Sequence, residues 1–252
     1  MATGGPKKAG GHAMNIMRRD LHDPRKTFRY FNDFFTLPID DTTADATDWE
    51  LVEDAGSATT AADKRGGWLF LATNTTDNNE AYLASRAQAF IFNATDEVMF
   101  ETLVEHTATT AAGDGTFVVG LSDVAAANTI ADAGTIVTSF DGACFILEEN
   151  ADVAFVTSNA ATQVRTAAAY TWTDGDVVRL GFHYDPNDGT TAKVTPVVNG
   201  VDGTAHDLTI SGLEEMNILL GSKNHGSTAQ TLEVDWVEAI QRRNAAADIG
   251  GL

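Results

Sequence analysis

Cysteine is almost absent from this sequence. Cys144 stands alone among 252 residues, so no intrachain disulfide can form and no cysteine-based zinc site exists. Long apolar runs are absent as well; none approaches the ~18 residues of a membrane-spanning helix. Basic residues are scarce. Lys and Arg number 16 against 36 Asp and Glu, a formal net charge of −20. Such acidity keeps a chain soluble and disfavours nucleic acid and anionic membranes as partners. There is no Gly-rich phosphate loop and no G-x-S-x-G elbow. Gly113-Asp114-Gly115 opens no helical pattern, so it predicts no dinucleotide site. His12, His22, His106, His183, His206 and His225 show no short metal-ligand spacing. The first residues lack the apolar core of a secretory signal, which predicts synthesis and folding in a host cytosol.

What is present is β pattern. From residue 177, Val178, Leu180, Phe182 and Tyr184 alternate with Val177, Arg179, Gly181 and His183. That period of two marks a strand with one face on a core and His183 on the other. Asp185 to Gly189 is a cluster of turn formers. A second strand follows over 192–198. Asn199-Gly200 then supplies the pair that best tolerates the positive φ of a tight hairpin turn, before a third strand over 206–210. This is an antiparallel meander. Other strands are predicted from Trp49, at 68–72, in two short pieces within 81–92, and at 98–105, 117–121, 136–140, 143–148, 153–157, 164–169, 217–221 and 231–240. Residues 56–67 read as a loop, and 125–133 as a short helix or a loop. Cys144 lies in an apolar run and is read as a buried strand residue.

Charge is unevenly spread. Residues 1–30 hold seven of the Lys and Arg and only Asp20 and Asp23 of the acids, a balance of +5, which leaves −25 for the rest. Phe28, Tyr30, Phe31, Phe34 and Phe35 then arrive together, too many aromatics to stay solvated. The predicted organisation is a flexible basic arm over 1–27, an all-β two-sheet antiparallel sandwich over 28–243, and a flexible tail over 244–252.

Several of these stretches resemble the concanavalin-type jelly rolls, the laminin-G-like and legume-lectin-like group. They are the strand at 177–185, the strand ending in Val198-Asn199-Gly200, the Phe-rich opening at 31–35, Gly66-Gly67-Trp68-Leu69-Phe70-Leu71, and the closing Leu232-Glu233-Val234-Asp235-Trp236-Val237. The Ala/Thr/Asp-rich, Lys-poor texture also resembles virion structural proteins of tailed bacteriophages. That likeness implies a capsid decoration (cement) protein, or a tail or fibre module.

Glu233-Val234-Asp235-Trp236-Val237-Glu238 fits the E-x-D-x-x-E pattern of laminarinase-type glucanases. Their retaining chemistry needs two carboxyls about 5–5.5 Å apart. On a regular strand Glu233 and Asp235 share a face, and Glu238 lies roughly 16 Å from Glu233 on the other face. Only a bulge would change that order. The simpler reading puts Leu232, Val234 and Trp236 in the core. Asp185, Asn187 and Asp188 offer oxygen donors for calcium, but the spacing suits a plain turn better.

The expectation is therefore a non-enzymatic protein without metal or cofactor, made in the host cytoplasm and placed on a capsid surface. Its partners would be the major capsid protein and further copies of itself. Arg18, Arg19, Arg25, Lys26, Arg29, Phe31, Phe34 and Phe35 are the candidate anchor. The alternative is a carbohydrate- or receptor-binding module, favoured by exposed Trp or Tyr in a concave face. A glucanase is the third reading.

Overall fold

The computed structural model describes residues 26–36, 39–40, 48–54, 56–60, 64, 66–108, 115–131, 135–136, 139–148, 152–160, 162–186 and 191–242. Among them there is no helix. The strands in chain order are β1 (Thr27–Asn32), β2 (Ile39–Asp40), β3 (Trp49–Asp54), β4 (Ser57–Thr60), β5 (Leu69–Ala72), β6 (Glu80–Ser85), β7 (Glu97–Ala108), β8 (Gly115–Ser122), β9 (Gly142–Leu147), β10 (Asp152–Asn159), β11 (Thr162–Thr171), β12 (Val177–Asp185), β13 (Thr191–Val198), β14 (Val201–Asp202), β15 (His206–Thr209), β16 (Asn217–Asn224) and β17 (Gln230–Arg242).

They form two sheets. The larger runs β14-β13-β12-β7-β17-β5-β4, with β1 also on β17 and β15 also on β13. The other runs β11-β10-β9-β8-β16-β6-β3-β2. Every pairing is antiparallel except that of β2 with β3. This is the predicted two-sheet sandwich. The meander forms as its residues dictate: Asn199 and Gly200 take φ of 51° and 79°, and Val198 pairs with Val201 across the turn.

Alternation sorts the side chains. Phe117, Val119 and Leu121 of β8 enter the main core between the sheets, with Phe100, Val104, Phe145, Phe155, Phe182 and Leu220. Val118 points the other way, into a second cluster with Tyr82, Cys144, Ile146 and Leu219. Ile130, Ile136 and Phe140, from the connection between β8 and β9, complete that cluster. The middle of the smaller sheet is thus covered on both faces, and β6, β8 and β9 are buried along their whole length. Cys144 is buried within this second layer, and burial pushes its thiol far up from its ordinary range.

Three local expectations are corrected. Ser57–Thr60 is a strand, β4, because its backbone completes the edge of β5. The described residues of the run at 136–140 form no strand; Ile136 makes only a bridge to Ile130, and Ile136 and Phe140 serve as a cover. Of the two readings for 125–133, the loop holds over the described residues 125–131. Within 81–92 there is one strand, β6, and Phe90 makes only an isolated bridge to Met216.

Candidate binding face

With the middle of the smaller sheet covered on both faces, the outer face of the larger sheet remains to be accounted for. On β7, Val98, Phe100, Thr102, Val104 and His106 face the core. Met99, Glu101, Leu103 and Glu105 therefore face outward. On β12 the outward set is Val177, Arg179, Gly181 and half-buried His183.

β17 is where sequence and structure part. Val234 pairs with Val104, yet Leu103, the next residue of β7, pairs with Trp236. Asp235 is the extra residue of a β-bulge, and the Trp236 carbonyl is taken by the Thr102 hydroxyl at 2.7 Å. The bulge shifts the alternation by one. Val237 and Ala239 go to the core in place of Trp236 and Glu238. The expectation of Trp236 in the core and of Glu233 and Glu238 on opposite faces is corrected: all three face outward together.

The register then sets acids against acids. Glu233 lies opposite Glu105, and Glu238 opposite Glu101. Like charges directly opposed across strands are destabilising, so each pair requires a cation. Lys64 donates to Glu105 at 2.7 Å and also to Glu233. Arg179 lies 3.2 Å from Glu101, and Arg29 of β1 lies 2.5 Å from Glu238. Burial on its own would lower the Lys64 ammonium, but its hydrogen bonds to Glu105 and Glu233 outweigh that and hold it above its ordinary value. Asp235 is raised by burial and then by the charge of Asp33, against the pull of Lys64.

Aromatic rings share this face. Trp236 stacks on Phe31 with centroids 6.5 Å apart and planes 27° apart, and Arg29 sits 5.3 Å from the Phe31 centroid. Phe31 is 47% exposed and Phe35 73%. Lys64 lies 4.1 Å over the Trp68 ring. Gly67, at φ 109°, lets its loop pass against the backbone of Phe35, where a Cβ would come within 2.6 Å.

Of the predicted anchor residues, Arg29 and Phe31 fall on this face. Lys26 and Phe35 are exposed beyond the two ends of β1. Phe34 is fully buried against Trp49 and offers no surface to a partner. Arg18, Arg19 and Arg25 lie outside the described residues, as do Asn187 and Asp188. Asp185 pairs with Lys193 at the end of β12. Among the described residues no three His, Cys, Asp or Glu side chains are grouped to hold a metal ion. Glu101, Glu105, Arg179, Lys64 and Trp68 were not singled out by sequence, since nothing local in it announces which residues face them.

No protein-family profile matches the chain, and no curated protein does. Solved structures do, at low identity. A protein of unknown function from Shewanella oneidensis MR-1 is 15% identical, with a TM-score of 0.58 over 96% of this chain and 97% of its own. A carbohydrate esterase from the Shiga toxin-encoding bacteriophage phi24B is 16% identical, with a TM-score of 0.51 over 79% of this chain and 91% of its own. Peanut lectin is 12% identical, with a TM-score of 0.52 over 86% of this chain and 97% of its own. The fold is that of the concanavalin-like, legume-lectin-like jelly rolls.

Proposed function

We propose that this chain is a non-catalytic carbohydrate-binding protein whose glycan lies on the outer face of the larger sheet, along β17. The observation that carries the reading is the bulge at Asp235. It turns Trp236 outward beside Phe31 and sets the pair between Glu233 and Glu238. A flat ring with an apolar face, ringed by carboxylates and guanidinium groups, suits a sugar: the ring takes the C–H face and the charged groups take the hydroxyls. The fold shared with peanut lectin supports the same reading.

Two features support binding without cleavage. Glu233 and Glu238 pair with Glu105 and Glu101, four residues apart on β7, which is about 13 Å of strand. Each is held by its own cation, Lys64 or Arg29. Retaining hydrolysis needs carboxyls about 5–5.5 Å apart. The test is a polysaccharide panel read by binding and by release of reducing ends. The intact protein binds at least one glycan and releases none, and Trp236→Ala weakens binding about 30-fold, as a central aromatic contact does. Unchanged binding by Trp236→Ala overturns the reading, and so does hydrolysis abolished by Glu233→Gln.

A second reading, a capsid decoration protein of a tailed phage, rests on a different observation. Arg29, Phe31 and Phe35 are exposed at the root of the segment that carries Arg18, Arg19, Arg25 and Lys26. The phage esterase that shares the fold supports that setting. On this reading, deleting residues 1–23 leaves the sandwich folded but weakens co-sedimentation with particles, and added salt mimics part of the loss by screening. Equal co-sedimentation of the intact and truncated proteins rejects the arm as an anchor.

A further inference from the structure

The cation over Trp68 is not only a counter-ion. Lys64 belongs to the connection between β4 and β5, yet its ammonium sits in a compartment built by other elements. Glu105 of β7 and Glu233 of β17 bind it from two sides. The Trp68 ring lies beneath it at 4.1 Å, and the Phe70 ring flanks it at 5.9 Å. Two carboxylates and two aromatic faces around one ammonium make a receptor for a cation, since each ring presents the negative face of its quadrupole.

The charge balance leaves room for exchange. Two acids share one cation, so the compartment keeps an excess negative charge. The Lys64 side chain is 30% exposed, whereas that of Glu233 is 11% exposed. The receptor is the more buried partner and the occupant the more accessible one. The pair is part-buried and its ammonium end reaches solvent, so it opens more readily than a fully buried pair would. A ligand ammonium that brings further contacts along β17 can therefore displace Lys64, and a neutral hydroxyl cannot. Glu233 and Trp236 stand on one face two ladder positions apart, about 7 Å, so one chain can reach both.

We infer that Glu105, Glu233, Trp68 and Phe70 form a binding site for a primary ammonium group, filled from within the chain by Lys64, and that the glycan of this face carries free amino groups. The second half rests on the carbohydrate-binding reading; the first does not.

The experiment uses the full chain as the intact protein, as Lys64→Ala and as Lys64→Met, which keeps the methylene packing on Trp68. n-Butylammonium is titrated against thermal unfolding. It raises the midpoint of both variants saturably and leaves that of the intact protein unmoved. Oligomers of glucosamine and of N-acetylglucosamine are then compared by calorimetry. Lys64→Ala binds the free-amine form about tenfold tighter than the intact protein does, and the acetylated form is unaffected. If butylammonium acts equally on intact and variant proteins, the ammonium site is refuted. If the variant does not prefer the free amine, the amino-sugar assignment is refuted. If no glycan binds while butylammonium still rescues the variants, the ammonium site stands and the carbohydrate-binding reading falls.

Discussion

Replacing Lys223 with methionine lowers the stability of the fold by about 3–5 kcal/mol, the loss that follows when one partner of a buried ion pair is removed. Lys223 is on β16, in the middle of the smaller sheet, and its side chain is fully buried. Its ammonium lies 3.5 Å from Glu80 and donates to the Asn128 side chain at 3.0 Å and to the Ile130 carbonyl at 2.9 Å. Glu80 also accepts from the Asn128 amide at 2.6 Å and from the Tyr82 hydroxyl at 2.9 Å, and that hydroxyl accepts from the Ile130 amide at 2.9 Å. One charged knot thus fastens the 123–131 cover to the sheet. Methionine fills the space but leaves the Glu80 carboxylate buried without its cation. Denaturant unfolding measures the loss. Adding Glu80→Gln to Lys223→Met recovers part of it, because a neutral amide costs less to bury than a charge. A loss below about 1 kcal/mol for Lys223→Met would mean that the knot is replaceable by packing alone.

Acidification from pH 7 to pH 4 costs the fold about 3 kcal/mol through a single side chain, His106. It is wholly buried against Phe117, and burial lowers its pKa from 6.5 to about 4, with the charge of Asp174 pulling weakly the other way. In the unfolded chain His106 takes up a proton near pH 6.5; in the fold it refuses one until about pH 4. The unfolded state binds more protons between those values, so stability is whole above pH 6.5 and drains as pH falls toward 4. A shift of this size corresponds to about 3 kcal/mol. His206, also lowered by burial, adds in the same direction. Asp123 and Asp235 are raised and act in the opposite sense. Those groups are common to the intact protein and His106→Leu, so the difference between their two stability curves isolates His106. Parallel curves from pH 7 to pH 4 would show that His106 is protonated within the fold.

What could be read in the sequence divides along a physical line. The hairpin at Asn199-Gly200 was legible because turn chemistry and alternation are both local. Burial of Cys144 was legible because its neighbours are apolar on either side. The bulge was not, since Glu233 to Glu238 alternates acceptably in either phase. The choice is made on the opposite strand, where Thr102 takes the Trp236 carbonyl. The acid pairs were hidden for a related reason. Glu101 and Glu105 meet Glu238 and Glu233 only through a register set across more than a hundred intervening residues. The run at 136–140 misled because apolarity reports burial and not conformation, and a cover over a sheet is as buried as a strand within it.

The joint at the bulge also bears on how the chain assembles. One edge of β17 is shared: β5 pairs with residues 231–234, and β1 pairs with residues 237–242. The opposite edge carries β7 from Gln230 to Arg242. The first strand of the sandwich therefore has no ladder to join until the last strand exists. Thr27 finds Arg242, and Asn32 finds Val237, more than two hundred residues apart. Closing so long a loop is entropically slow, and folds dominated by distant pairings reach the native state late. On a ribosome, β5, β7 and β12 are all made while the central place between β7 and β5 stays vacant. Phe28 and Tyr30 can meet Phe90 and Trp49 early, but the backbone of β1 waits unpaired until Gln230 to Arg242 arrives.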